Sequence, residues 1–141
     1  MVAGQLHSFV NMTIVFTGSR CWPRNRIFII RRVIRGLPKQ CLIIHGGALG
    51  ADSFVDGIAR DLAFDVKVYK ADWNRYGKSA GFIRNMQMID KENPNIVIGF
   101  LAEIEVKSKG TRHALRYALS KNISTFVFGL DGQVIPNENF I

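Results

Sequence analysis

Residues 45–52 contain the residue types most suited to chemistry in this sequence. Two glycines, Gly46 and Gly47, follow an apolar run that ends at His45, and a helical pattern begins at Ala51. Glycine adopts positive φ angles and lets the backbone approach a ligand closely, and the first turn of a helix presents unpaired N–H groups. The stretch therefore suits an anion such as a phosphate, and a tight turn that needs glycine only for its geometry is the alternative.

Asp52 stands in the first turn of the predicted helix, where its carboxylate would repel a phosphate placed directly against it. Two roles fit it better: a cap for the helix, or an acceptor for ribose hydroxyls or a base amine. Trp73 and Tyr76, in a polar connection further along, could stack on a nucleobase, and packing beneath that connection explains them at least as well. His45 and His113 stand at no spacing that pairs either with a nucleophile, so catalysis by them is not the favoured interpretation.

The sequence does not match two familiar phosphate motifs. Ala48 occupies the place of the second glycine in G-x-G-x-x-G. Gly77, Lys78 and Ser79 match the last residues of a P-loop, but Asp72 stands where the first glycine of that motif is required. We therefore predict neither an ATPase nor an ordinary dinucleotide dehydrogenase.

Three other segments carry donors suited to phosphate. They contain Gly18, Ser19 and Arg20 after the first predicted strand, Arg84 in the first turn of the third helix, and Ser108, Gly110 and Thr111 before the fourth. Backbone N–H groups at helix starts, together with an arginine fork, match the geometry of a phosphate.

Short apolar segments alternate with amphipathic ones along the chain. Strands are predicted at residues 12–17, 41–45, 66–69, 96–100 and 123–128, and helices at about 23–36, 51–63, 82–91 and 110–121. This alternation predicts an α/β fold of three layers, a Rossmann-like open parallel sheet of about five strands with helices on both faces. Ligands of such sheets bind beyond the carboxyl ends of the strands, so the loops beginning at Gly18, Gly46, Ala71 and Leu101 should meet at one edge.

Length and composition predict one domain over residues 1–141, with residues 1–11 and 129–141 as peripheral termini. The sequence contains no apolar run long enough to cross a membrane, and its first residues do not resemble a secretory signal, so we expect a cytoplasmic protein without a membrane partner. Two cysteines are too few for a zinc cluster or a disulfide framework, and no metal or cofactor is expected.

The chain carries 19 basic and 11 acidic residues, a net charge of +8, which favours an anionic partner. Many of the basic residues belong to the first predicted helix, where they fall opposite its apolar stripe; these are Arg24, Arg26, Arg31, Arg32 and Arg35. A solvated helix face explains them better than a nucleic-acid patch.

Four motifs occur in a characteristic order over about residues 13–128. They are Val15-Phe16-Thr17-Gly18-Ser19-Arg20, the stretch 45–52, Ala71-Asp72-Trp73 followed by Arg84-Asn85 and Met88, and Ser108-Lys109-Gly110-Thr111. Together they resemble the SLOG superfamily, in its small YspA- or YpsA-like branch. The resemblance implies a Rossmann-like fold related to the LOG phosphoribohydrolases and to DprA, binding of nucleotides or nucleotide-derived ligands in sensors or effectors, and a homodimer.

Some members of this superfamily cleave N-glycosidic bonds, and the resemblance locates part of that machinery here. Arg84, followed by Met88, matches the arginine motif of the LOG enzymes, but Ala114 stands where those enzymes carry a glutamate. Glycosidic cleavage needs a carboxylate beside the sugar, which alanine cannot supply. Asp52 and Asp72 are the candidates to replace it. Two glutamates before the fourth helix come next, Glu103 and Glu105.

We therefore expect a sensor or effector domain that binds a nucleotide or nucleotide-derived ligand. Its expected ligand-binding residues are Gly18, Ser19, Arg20, Gly46, Gly47, Asp52, Asp72, Trp73, Arg84, Asn85, Ser108, Gly110 and Thr111. The alternative is an N-glycosidase acting on nucleoside monophosphates, in which Arg84 orients the substrate and Asp72 or Asp52 supplies the carboxylate. A nucleic-acid-binding module that uses the arginine-rich helix is the third and least favoured interpretation.

Overall fold

A computed structural model of the chain describes residues 12–102 and 109–139. Its five strands are β1 (Thr13–Gly18), β2 (Leu42–His45), β3 (Asp65–Val68), β4 (Ile96–Phe100) and β5 (Ser124–Phe128). They form one sheet in the order β3-β2-β1-β4-β5, and every pairing is parallel. The order reverses between β1 and β4, so the loops that leave these two strands lie where ligands of open α/β sheets bind.

Four helices cover the sheet: α1 (Ile27–Arg35), α2 (Ala51–Asp61), α3 (Ala80–Glu92) and α4 (Lys109–Ser120). Side chains on β1 alternate between the two faces, as the period of a strand requires. Ile14 and Phe16 pack with α1 and α2, and Val15 packs with α3 and α4. The predicted three-layer, Rossmann-like fold is confirmed.

The connection before α3 differs from the loop predicted there. It contains a one-turn helix, Trp73–Tyr76, and a 3-10 turn, Gly77–Ser79. The carboxylate of Asp72 starts the one-turn helix, because its Oδ1 accepts a hydrogen bond from the Arg75 N–H at 3.1 Å. Four residues are too few to show a helical period in sequence, and this element was therefore missed.

The arginine-rich helix α1 buries its apolar stripe and exposes its arginines, as the spacing of its apolar residues predicts. Ile30 and Ile34 are fully buried, and Arg31, Arg32 and Arg35 are exposed on the opposite side. In the described parts of the chain, no helix is long and apolar enough to span a membrane.

Candidate functional site

A cavity of about 290 Å³ lies beyond the carboxyl ends of β1 and β2, beside the first turns of α3 and α4. Four basic side chains line it: Arg20, Lys78, Arg84 and Lys109. Aromatic rings line it as well, from Phe16, Trp73 and Phe82. Among the cavity-lining residues that the structure describes, Asp52 is the one carboxylate. The cavity thus brings together loops that the sequence placed at one sheet edge.

The glycine loop between β2 and α2 folds back on Asp52. The N–H groups of Gly46 and Ala48 donate to Asp52 Oδ2 at 3.2 and 3.3 Å. The N–H of Gly47 donates to Nδ1 of His45 at 3.0 Å. These amides, which the sequence suggested as phosphate donors, therefore have acceptors within the protein, and an anion seated on them would displace a carboxylate.

His45 supports this loop from below. Its ring is almost fully buried, and its Nε2 lies 2.8 Å from Asp56 Oδ1. Because Nδ1 accepts the Gly47 N–H, Nε2 carries the proton and donates to Asp56. His45 thus has a structural role, in agreement with the weak case for its catalysis in the sequence.

Asp52 is only 4% exposed, and its second oxygen, Oδ1, has no hydrogen-bond partner among the described residues. Burial raises the pKa of this carboxyl, and the amides of Ala48 and Gly46 and the guanidinium of Arg84 oppose that rise. The N-cap position of α2 belongs to Gly50, so Asp52 does not cap its own helix. The two other roles predicted from the sequence, an acceptor toward ribose or base and the carboxylate of a glycosidase, are both compatible with its unpartnered oxygen.

Arg84, on α3, is hydrogen-bonded to the segments that follow β2 and β3. Its Nη1 donates to the carbonyl oxygens of Gly46 and, at 3.4 Å, of Tyr69, and its Nε donates to Asn85 Oδ1 at 3.0 Å. A Cβ atom on residue 46 would lie 2.6 Å from the Arg84 guanidinium carbon, so a larger residue there would require the Arg84 side chain to shift. Asn85 in turn donates to the Gly110 carbonyl at 3.1 Å. Burial lowers the pKa of Arg84, and the charge of Asp52 opposes that shift.

Several residues predicted for the site lie elsewhere. Asp72 is exposed, does not line the cavity and caps the one-turn helix. Ser19 is buried and joins three segments: its N–H donates to Phe100 O at 2.9 Å, its Oγ accepts from the Ala102 N–H at 2.9 Å, and its carbonyl accepts from the Ala51 N–H at 3.1 Å. Gly47 is exposed outside the cavity lining. Ser108, Glu103 and Glu105 lie outside the described residues.

The structure brings the other predicted residues together at the cavity: Gly18, Arg20, Gly46, Asp52, Trp73, Arg84, Asn85, Gly110 and Thr111. Phe82, Lys78 and Lys109 also line it, and none of them was predicted to bind the ligand. Their positions in the sequence could have indicated them, because each stands near the start of a helix at the ligand-binding edge. Ala114, at the place of the LOG glutamate, is completely buried.

No family model matches this chain. It is 32% identical over 124 residues to the "Gene 61 protein" of Mycobacterium phage D29, and the alignment covers 82% of this chain and 95% of the phage protein. DNA processing protein A (DprA) of Streptococcus pneumoniae has a similar structure, with a TM-score of 0.67 over 96% of this chain at 16% identity. The chain spans 55% of the DprA chain, and at this identity the likeness establishes a DprA-like fold.

Proposed function

The chain belongs to the family of the gene 61 protein of Mycobacterium phage D29, and we propose that it binds a nucleotide or nucleotide-derived ligand in the cavity beside Asp52. The observation that carries the proposal is a buried carboxylate with one oxygen unpartnered among the described residues, inside a cavity whose other charged side chains, as far as the structure describes them, are basic. The motif resemblance to the YspA-like branch of the SLOG superfamily supports a sensor or effector role.

The basic rim suits the phosphate of such a ligand. Arg20, Lys78 and Lys109 are exposed at the cavity, and Gly110 and Thr111 add the first turn of α4. Flexible cations and helix-start amides bind phosphate without needing the glycine-loop amides, which are occupied. We therefore assign the phosphate to this rim, away from the Asp52 carboxylate that would repel it.

The aromatic rim suits a base. Trp73 and Phe82 are 51% and 40% exposed where they line the cavity, so a ligand can reach their rings. Stacking of a base on an aromatic ring contributes about 1–3 kcal/mol. Asp52 can then accept a hydrogen bond from a ribose hydroxyl or a base amine. The cavity volume is near the lower end of ligand sites, about 300 Å³, and so matches one nucleotide unit better than a dinucleotide.

Thermal melting of the full chain with nucleoside mono-, di- and triphosphates tests the proposal. A ligand that binds only the folded state at 100 times its Kd adds about 2.7 kcal/mol of stability, so at least one class should raise the Tm. The double variant Arg20→Gln/Lys78→Gln should weaken binding, measured by calorimetry, by about 10-fold or more, because each charged hydrogen bond contributes about 1.5–3 kcal/mol.

The matched control is Arg31→Gln/Arg35→Gln, which removes the same charge from the exposed side of α1. This helix packs on the face of the sheet opposite to α3 and α4. The control should leave binding unchanged. Equal weakening in both double variants would mean that only net charge matters, and a panel in which no nucleotide raises the Tm would contradict the proposal.

A second candidate, N-glycosidase activity, is favoured by one observation: the cavity has a carboxyl, Asp52, beside the guanidinium of Arg84. In that reaction the bond between C1′ of the sugar and the base nitrogen breaks, and its electron pair leaves with the base, which is protonated. The carboxylate stabilises the cationic sugar until the oxygen of a water molecule attacks C1′ and the water loses a proton. Asp72 lies outside the cavity lining, so Asp52 is the candidate here.

Incubation with nucleoside monophosphates and NAD, followed by chromatography for free base, tests this second candidate. An enzyme should release base at a rate that falls about 100-fold or more in Asp52→Asn. Release that survives this substitution would exclude Asp52 as the carboxylate, and no release from ligands that bind would rule the activity out for the panel.

A further inference from the structure

A groove on the outer surface of α3 and α4 adjoins the cavity. Its volume is about 660 Å³, more than twice that of the cavity, and it is lined by Phe82, Lys109, Arg112, His113, Arg116 and Tyr117. Phe82 and Lys109 line both depressions. The nucleotide proposed above does not need this groove.

The charge of the groove is one-sided. Three of its six lining residues, Lys109, Arg112 and Arg116, are cations, and no carboxylate lines it in the part of the chain that the structure describes. The Nε of Arg112 is buried and has no hydrogen-bond partner among the described residues. Arg112 also lines the groove, and the planar fork of a guanidinium matches a carboxylate, so an acidic group from outside can pair with its side chain.

The aromatic rings of the groove lie next to one another. The ring centroids of Phe82 and His113 are 4.6 Å apart, and those of His113 and Tyr117 are 6.2 Å apart with nearly parallel planes. The ammonium of Lys121 lies 5.2 Å from the Tyr117 ring centroid, and the Tyr117 hydroxyl donates to Asp90. His113 has two rings as neighbours, and Tyr117 has the His113 ring and the Lys121 ammonium, so these two rings suit an apolar side chain better than a nucleobase, which needs a free ring face. Together with Phe82 they form an apolar floor.

We propose that this groove docks a partner protein through an acidic segment with an apolar anchor, whose carboxylates pair with Arg112, Arg116 and Lys109. The anchor packs on the floor of Phe82, His113 and Tyr117. A second copy of this chain is a poorer occupant, because each copy carries a net charge of +8.

Selection of a random 12-residue peptide library on the full chain, without nucleotide, tests the proposal. Enriched peptides should combine several carboxylates with an aromatic or aliphatic residue. A labelled peptide of that consensus should lose about 10-fold or more of its affinity to Arg112→Gln/Arg116→Gln and keep it for the control Arg31→Gln/Arg35→Gln. Replacing the glutamates of the peptide by glutamines should cause a similar loss with wild-type protein, which keeps the test valid if the double variant melts early.

Three results would overturn the proposal. Enriched peptides without acidic residues, or with equal affinity for the groove variant and the control, would remove the predicted charge pairing. Tighter binding of a 12-nucleotide oligothymidylate than of the peptide, lost in the same groove variant, would make the groove a nucleic-acid site. A molar mass by light scattering that halves in Arg112→Gln/Arg116→Gln would make it an interface between copies of this chain.

Discussion

Asp52→Asn is expected to weaken nucleotide binding about 100-fold while leaving the fold at least as stable near neutral pH. The asparagine oxygen can still accept from the Gly46 and Ala48 amides, but the negative charge and the unpartnered acceptor are lost. A buried hydrogen bond to a charged group contributes up to about 3 kcal/mol, which corresponds to that loss of affinity. Calorimetry with the tightest nucleotide of the panel measures it.

The stability effect follows from the raised pKa of Asp52. The folded protein binds the Asp52 proton more tightly than the unfolded chain does, so this group stabilises the fold at pH values below its ordinary pKa of about 4. That contribution is lost as pH rises through the raised pKa. The neutral side chain of the Asp52→Asn variant avoids that loss, so this variant should have a higher Tm at pH 7, by roughly 4 °C per kcal/mol, with the difference shrinking toward pH 4.

Asp72→Asn is the matched control, since Asp72 caps the one-turn helix outside the cavity and asparagine caps equally well. It should change neither affinity nor Tm. Equal loss of binding in both variants would contradict the assignment of the cavity, and a lower Tm for Asp52→Asn at pH 7 would show that the charged form of Asp52 is stabilising.

Gly50→Ala is expected to lower the free energy of unfolding by about 3 kcal/mol or more. Residue 50 has a φ of +78°, and a Cβ atom there would overlap the carbonyl of Arg20 and lie 2.5 Å from the carbonyl oxygen of Ser19. With a ψ of −125° residue 50 lies outside the left-handed helical region, in a backbone conformation that almost only glycine adopts, and such strain costs about 1–3 kcal/mol. Backbone atoms also cannot swing aside as a long side chain can. Urea unfolding followed by circular dichroism measures the change.

Gly57→Ala in the same region is the control. It lies within α2, where an added Cβ meets nothing within 4 Å, so this change should stabilise the fold by about 0.5–1 kcal/mol. A Gly50→Ala variant with the urea midpoint of the wild-type protein would mean that the loop between β2 and α2 has a different path.

Much of the fold was predictable because the buried strands are short runs of apolar and β-branched residues. The five predicted strands agree with the structure to within one residue at each end. Helix ends were harder: α2 stops at Asp61, because Ala63 adopts a positive φ of 64°, and alanine gives no sequence signal for that conformation. Before α1, residues 24–26 form a 3-10 turn where the pattern predicted α-helix.

The sequence predicted where the loops meet to form the cavity, but not the hydrogen bonds within it. That the glycine-loop amides bind Asp52 depends on the positive φ angles of Gly47 and Gly50, which turn the loop back on a side chain several residues later. The same spacing in a straighter loop would leave those amides open to a phosphate. For Asp72, a local hydrogen bond to the Arg75 N–H decided its position, and a loop of unknown path gave no means of foreseeing it.

Phe82 and Lys109 belong at once to the wall of the cavity and to the wall of the neighbouring groove. If binding of one ligand at this wall changes the affinity of the other ligand by some factor, binding of the second changes the affinity of the first by the same factor. If a nucleotide turns the Phe82 ring toward itself, the aromatic floor of the groove changes shape, and the acidic partner is released or captured accordingly. If the chain is the sensor proposed above, this shared wall is the physical connection between the small molecule that it detects and the protein that it informs.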